Sequence, residues 1–262
     1  MKKSWKSGLC YLLLFAFCFL GGRITAERQA VKAVNATPCG KLAIVIDDFG
    51  YNGSGTDTML ALPIPFTAAV MPFSEYSADN AKKAVEAGKE VIIHMPMEAI
   101  MGKKEWVGDK GIFLDMKDEE IRALVEEAYT ILPDAVGMNN HMGSAITEDA
   151  KSLGVVLDVV KEKNGFFIDS VTTCNSVAKE LAAEKGVPFF ARSVFLDGTN
   201  DVETVKKNLR KAAAIALKNG KALAIGHVGP EGGEITEKAL EALIPELQAA
   251  GITFVTAGEL VE

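Results

Sequence analysis

Cysteine and histidine are scarce in this 262-residue chain, which holds four of the first and three of the second. Cys10 and Cys18 fall in an apolar N-terminal run, and the remaining pair, Cys39 and Cys174, is too few for a disulfide framework. Both are expected to be free thiols. Cys39 precedes the first strand and Cys174 follows the end of another, so about 20 Å of strand separates positions that a disulfide needs within about 7 Å. Long hydrophobic runs are missing too: Gly8 to Leu20 is about 13 residues, short of the roughly 20 that span a bilayer. Positive charge is in deficit, with 28 Lys and Arg against 35 Asp and Glu. Setting aside Lys2, Lys3, Lys6 and Arg23 leaves 24 against 35, a net of −11. That makes nucleic acid and anionic surfaces poor partners, and no nucleic-acid partner is expected. No internal repeat and no low-complexity segment is visible.

What the chain does have begins with its leader. Basic residues, the apolar run and the small residues Gly21, Gly22, Thr25 and Ala26 follow one another over residues 1–26 as in a secretory signal peptide, or an uncleaved N-terminal anchor. The chain is therefore expected outside the cytoplasm, in the periplasm or secreted, touching membrane only through that segment. Residues 27–40 read as a linker and 41–262 as the folded domain.

Within 41–262, apolar strand-like runs alternate with helical patterns. The runs are Leu42 to Ile46, Phe66 to Met71, Glu90 to Met95, Ala135 to Asn140, Phe166 to Ile168, Phe189 to Phe195, Ala222 to Gly226 and Ile252 to Thr256. Such alternation predicts a parallel sheet, closed as a barrel or open and doubly wound. Met97 to Lys117 stands apart as a connection of about 20 residues without periodicity, the kind that is usually functional.

His94, His141 and His227 all fall at C-terminal strand ends, as do Asp47, Asp48, Asp169 and Arg192. In parallel α/β folds the loops at those ends meet over one mouth, where chemistry gathers. Each residue alone has a plainer reading: an Asp there caps the next helix, a His is hydrogen-bonded in the core, Arg192 serves a structural ion pair, and Glu98 faces solvent. Together, carboxylates and neutral imidazoles at one mouth are the ligand set of a borderline divalent metal.

The blocks "IVIDDFG", "GKEVIIHMPME", "GMNNHMGS", "FFIDSVTT", "GVPFFARSVFLD" and "AIGHVGP", in that order, resemble the divergent polysaccharide deacetylase family, relatives of the NodB-type carbohydrate esterases. The resemblance runs from about Lys41 to the C-terminus. It implies a distorted (β/α) barrel of seven or eight mostly parallel strands. It also implies metal-dependent removal of N-acetyl or O-acetyl groups from an envelope polysaccharide or glycan, with Zn2+ as the expected cofactor.

Carried over by motif, Asp47 is the catalytic base, Asp48 and His94 are metal ligands, and His227 is the acid that protonates the leaving amine. This chain departs from the pattern where Glu98 stands in place of a second metal-binding His. It departs again where Asn139, Asn140, His141 and Met142 replace an Arg-Pro-Pro-Tyr block. His141 is the expected third ligand, with Glu98 as its competitor. Asp169 supports the site, Arg192 takes over orientation of the base, Asn140 stabilises the oxyanion and Trp106 stacks on sugar. Two further readings stand beside this one: a metal- or glycan-binding envelope protein without turnover, and a glycosidase using Asp47 with another acid.

Overall fold

A computed structural model describes residues 39–108, 110–198, 201–229 and 233–261. The leader and nearly all of the linker lie outside the described residues. Nine strands form one sheet: β1 (Gly40–Phe49), β2 (Thr67–Val70), β3 (Glu90–Met97), β4 (Gly137–Met142), β5 (Phe166–Asp169), β6 (Phe189–Ala191), β7 (Val194–Phe195), β8 (Lys221–His227) and β9 (Ile252–Val255). Their order is β6-β5-β4-β3-β2-β1-β8-β7, with β9 also on β1, and the pairings are parallel. Helices fill the connections, the longest at Asp118–Ile131, Ala150–Glu162, Val202–Asn219 and Glu234–Ala249. Gly186 and Gly220 end two of the helices in the left-handed region, at φ 68° and 84°, where a missing Cβ removes the penalty.

The two edges of this sheet are joined by the chain itself. Phe189 to Phe195, expected as one strand, is two: β6 pairs with β5, β7 pairs with β8, and only Arg192 and Ser193 lie between them. A strand broken in this way passes from one edge to the other, and the sheet curls into a distorted barrel. At the other side β1 is shared along its length, with β9 beside Gly40–Ala43 and β2 beside Val45–Phe49.

Alternation along each strand sorts side chains into two cores. Leu42, Ile44 and Ile46 point outward into the large cluster shared with the helices. Ala43, Val45, Ala69, Ile92, Ile168, Leu223 and Ile225 fill the barrel interior. One step further along the same inward rows stand Asp47 after Val45, His94 after Ile92 and His227 after Ile225. The interior thus turns from apolar to polar between one layer and the next, at the C-terminal mouth. Cys174, beyond β5, is an exposed free thiol, and among the described residues no helix is long and apolar enough to cross a membrane.

Candidate metal centre

Consecutive residues on a strand point to opposite faces, so Asp47 and Asp48 should not share a site. They do because Asp48 takes φ 66°, a left-handed conformation that Asp tolerates better than most residues, and the β1–β2 register slips between Ile46 and Phe49. His94 Nε2 then lies 3.6 Å from Asp47 Oδ2 and 3.3 Å from Asp48 Oδ1. β4 delivers the third group. Asn139 and His141 are two residues apart and face inward together, and His141 Nδ1 lies 3.2 Å from Asp48 Oδ1 and 3.1 Å from His94 Nε2.

Hydrogen bonds behind the two imidazoles fix their tautomers. Asn139 Nδ2 donates to Asp47 Oδ1 at 2.8 Å, which turns its oxygen to His94 Nδ1 at 2.7 Å, so that nitrogen carries the proton. His141 Nε2 faces the Trp106 carbonyl at 3.3 Å and must likewise donate. In their neutral forms both rings aim a lone pair at Asp48 Oδ1, a buried oxygen without a hydrogen-bond partner. Three acceptors converge with no donor among them, and only a proton or a cation relieves that. A tetrahedral ion with bonds of about 2.1 Å holds its ligand atoms about 3.4 Å apart, close to the spacing found here. Asp48, His94 and His141 are accordingly the group, among the described residues, placed to hold a metal ion.

Electrostatics follow from this crowding. Burial raises the Asp47 carboxyl above its ordinary value, opposed by His94, His227 and the Asn139 amide. Burial acts the same way on Asp48, but the two imidazoles outweigh it and hold the group well below the usual carboxylate range. On His94 burial disfavours the charge, yet the two carboxylates prevail and raise it.

His227 stands in register with Asp47 across the β1–β8 pair. Its Nδ1 meets Asp197 Oδ1 at 2.7 Å, and Asp197 Oδ2 accepts from the His227 backbone N–H at 2.7 Å and the Thr236 hydroxyl at 2.8 Å. Burial lowers the imidazole, but Asp197 and the nearby Asp47 raise it to about 9. Asp197 itself is held low by the same bonds despite its burial.

Other expected members of the site face elsewhere. Asn140, between two inward residues, points outward. Its amide donates to the Met142 carbonyl and accepts from Ser170 N, so it ties β4 to the segment after β5. Glu98 is four residues past His94 on an extended strand, about 13 Å further along, and its carboxylate accepts from Leu114 N in the long loop. Arg192 makes no hydrogen bond to Asp47 among the described residues, although the two charges interact: its guanidinium donates to the carbonyls of Ser170 and Val171 at 2.6 and 2.9 Å and stacks 3.6 Å over Phe195. Asp169 is buried and accepts from Val171 N. Trp106 is 61% exposed on the short 3-10 turn Lys104–Trp106. Beside it a cavity of about 290 Å³, lined by Glu98, Lys103, Lys104, Phe113 and Met142 among others, flanks the triad without including it.

Sequence reasoning missed Asn139 and Asp197. Alternation would have found the first, since the residue sharing His141's face is two positions away, not one. Asp197 ends the block "GVPFFARSVFLD" as the first polar residue after β7, the same signal that singled out Asp169.

Against known proteins, the model of the divergent polysaccharide deacetylases matches residues 44–261. An uncharacterised protein of Haemophilus influenzae is 36% identical over 212 residues, 81% of this chain and 75% of its own. Among solved structures, an uncharacterised protein from Agrobacterium tumefaciens C58 superposes with a TM-score of 0.76 at 18% identity, covering 85% of this chain and 89% of that one. The Bc1960 peptidoglycan N-acetylglucosamine deacetylase superposes with a TM-score of 0.55 at 16% identity over 85% of this chain and 88% of that one. At those identities the superpositions establish the shared fold.

Proposed function

The chain belongs to the divergent polysaccharide deacetylase family, and from that premise we propose that it is a metal-dependent deacetylase of acetylated glycans in the cell envelope. The observation that carries this reading is the convergence of three lone-pair donors, Asp48, His94 and His141, beside a buried carboxylate and opposite an imidazole paired with Asp197. Two imidazoles and one carboxylate suit zinc. When bound, a divalent cation supplies Lewis acidity and a water of lowered pKa.

The protein groups do the proton work. Asp47, held by Asn139, accepts a proton from the water as its oxygen bonds to the acetamide carbonyl carbon. Burial, by raising its carboxyl, strengthens it for that task. His227, kept protonated by Asp197, gives its proton to the amide nitrogen as the C–N bond breaks, and acetate and a free amine leave. The cavity beside Trp106 gives a sugar chain a place to lie next to the reacting group. Export through the N-terminal segment would place the enzyme with envelope polysaccharide.

The test is incubation of the zinc-loaded protein with N-acetylated oligosaccharides. Acetate and free amine should appear in equal amounts, and Asp47→Asn should keep its metal while losing at least about 100-fold in kcat. Binding without product would instead mark a non-catalytic glycan-binding protein, and shortened chains a glycosidase. Loss of metal in Asp47→Asn would mean that the two aspartates have exchanged roles.

A further inference from the structure

Asn139 is fully buried on β4, in register with His94 on β3. Its two amide heteroatoms work in opposite directions, Nδ2 toward Asp47 and Oδ1 toward His94. One planar group therefore touches both the carboxylate assigned as base and an imidazole assigned as metal ligand. We propose that Asn139 is a positioning residue that assembles both functions at once, fixing the direction of the Asp47 carboxylate and the tautomer of His94. This rests on the deacetylase reading above and deepens it.

The chemistry of the amide explains why one residue suffices. An ionised carboxylate only accepts, so the Asn139 NH2 must face Asp47, and its oxygen is then forced toward His94. That oxygen also only accepts, so the His94 proton must sit on Nδ1 and the Nε2 lone pair must face Asp48. The geometry of the base thus dictates the geometry of the ligand. Among the described residues, Asn139 is the only side chain that donates a hydrogen bond to Asp47, and the half-buried Arg192 guanidinium is engaged by the carbonyls of Ser170 and Val171. Gln would be one methylene too long for the fully buried slot, and Ala would leave both partners unsatisfied.

Asp at this position separates the two functions. An ionised carboxylate there still accepts from His94 Nδ1, but it repels Asp47 instead of donating to it. The experiment compares Asn139→Ala and Asn139→Asp by titrating each with Zn2+ against a chromophoric chelator, and by acetate release at saturating zinc. Asn139→Ala should bind zinc about 10–100-fold more weakly and lose at least about 100-fold in kcat with little change in KM. Asn139→Asp should hold zinc within about 3-fold of the unsubstituted protein, or more tightly, while losing kcat as Asn139→Ala does. In crystals of Asn139→Asp the Asp47 carboxylate should be turned from its original direction.

Unchanged zinc affinity in Asn139→Ala, or unchanged kcat in Asn139→Asp, would overturn the proposal. If Asn139→Ala does not fold, the isosteric Asp variant decides alone. If the unsubstituted protein releases no acetate, the deacetylase reading fails. The zinc affinities and the Asp47 orientation in Asn139→Asp then still decide the role of Asn139, an unmoved Asp47 counting against it.

Discussion

In the proposed mechanism, Asp197 sets the protonation state in which His227 meets substrate. A general acid must carry its proton, and with the imidazole raised to about 9 the acid form persists well above neutrality. A cation across the mouth opposes a second positive charge, so the alkaline limb of kcat/KM is expected at or below about 9. Asp197→Asn removes the largest influence that raises the imidazole, and burial, which lowers it, is then opposed by Asp47 and Asp48 alone. The limb should therefore move down by at least about 1 pH unit, and activity at neutral pH should fall. An unmoved limb would show that His227 is not the group titrating. The pair also bears on the fold: its stabilisation is fully present below the unfolded imidazole value of about 6.5 and fades as pH rises through the folded value of about 9. At this scale residue types at strand ends were legible in the sequence, but their partners were not. Asn139 and Asp197 act through contacts 92 and 30 positions away in the chain, and a sequence read locally does not bring such contacts together.

At the break between β6 and β7, Arg192 ties the crossing strand to the loop after β5. Arg192 reaches back to the loop after β5, where Val171 sits at φ 50°, an uncommon conformation for a β-branched residue. Two hydrogen bonds to carbonyls and the stack on Phe195 hold that loop against the strand crossing from one sheet edge to the other. Arg192→Ala should cost about 2–3 kcal/mol in urea denaturation, and Arg192→Lys should recover little, because a point charge cannot reproduce the guanidinium fork. Full stability in both variants would mean that the break holds without it. All eight expected strand regions are strands in the structure, because strand-helix alternation and terminal glycines are local signals. The split of Phe189 to Phe195 was hidden, since its cause is pairing with two different neighbours. Asp149 likewise separates two helices, Ser144–Glu148 and Ala150–Glu162, its carboxylate accepting from Ser152 N to start the second.

The candidate metal centre belongs to the scale of the whole sheet. Its three candidate ligands come from β1, β3 and β4, and the curl of the sheet over an apolar interior brings their inward rows to a common mouth. β8 closes on β1 and sets His227 beside Asp47, although 180 positions separate them in the chain. Sequence order alone could place ligand types at strand ends, but it left His141 and Glu98 in competition. The fold separates them, because Glu98 runs on past the mouth and His141 turns into it. The measurement that tests this most directly is an anomalous difference map at the zinc edge from crystals of the zinc-loaded protein. One peak should lie within about 2.0–2.2 Å of Asp48 Oδ1, His94 Nε2 and His141 Nδ1, with Asp47 and Glu98 outside its shell. A peak held by Glu98 in place of His141, or no peak between these three side chains, would contradict the account.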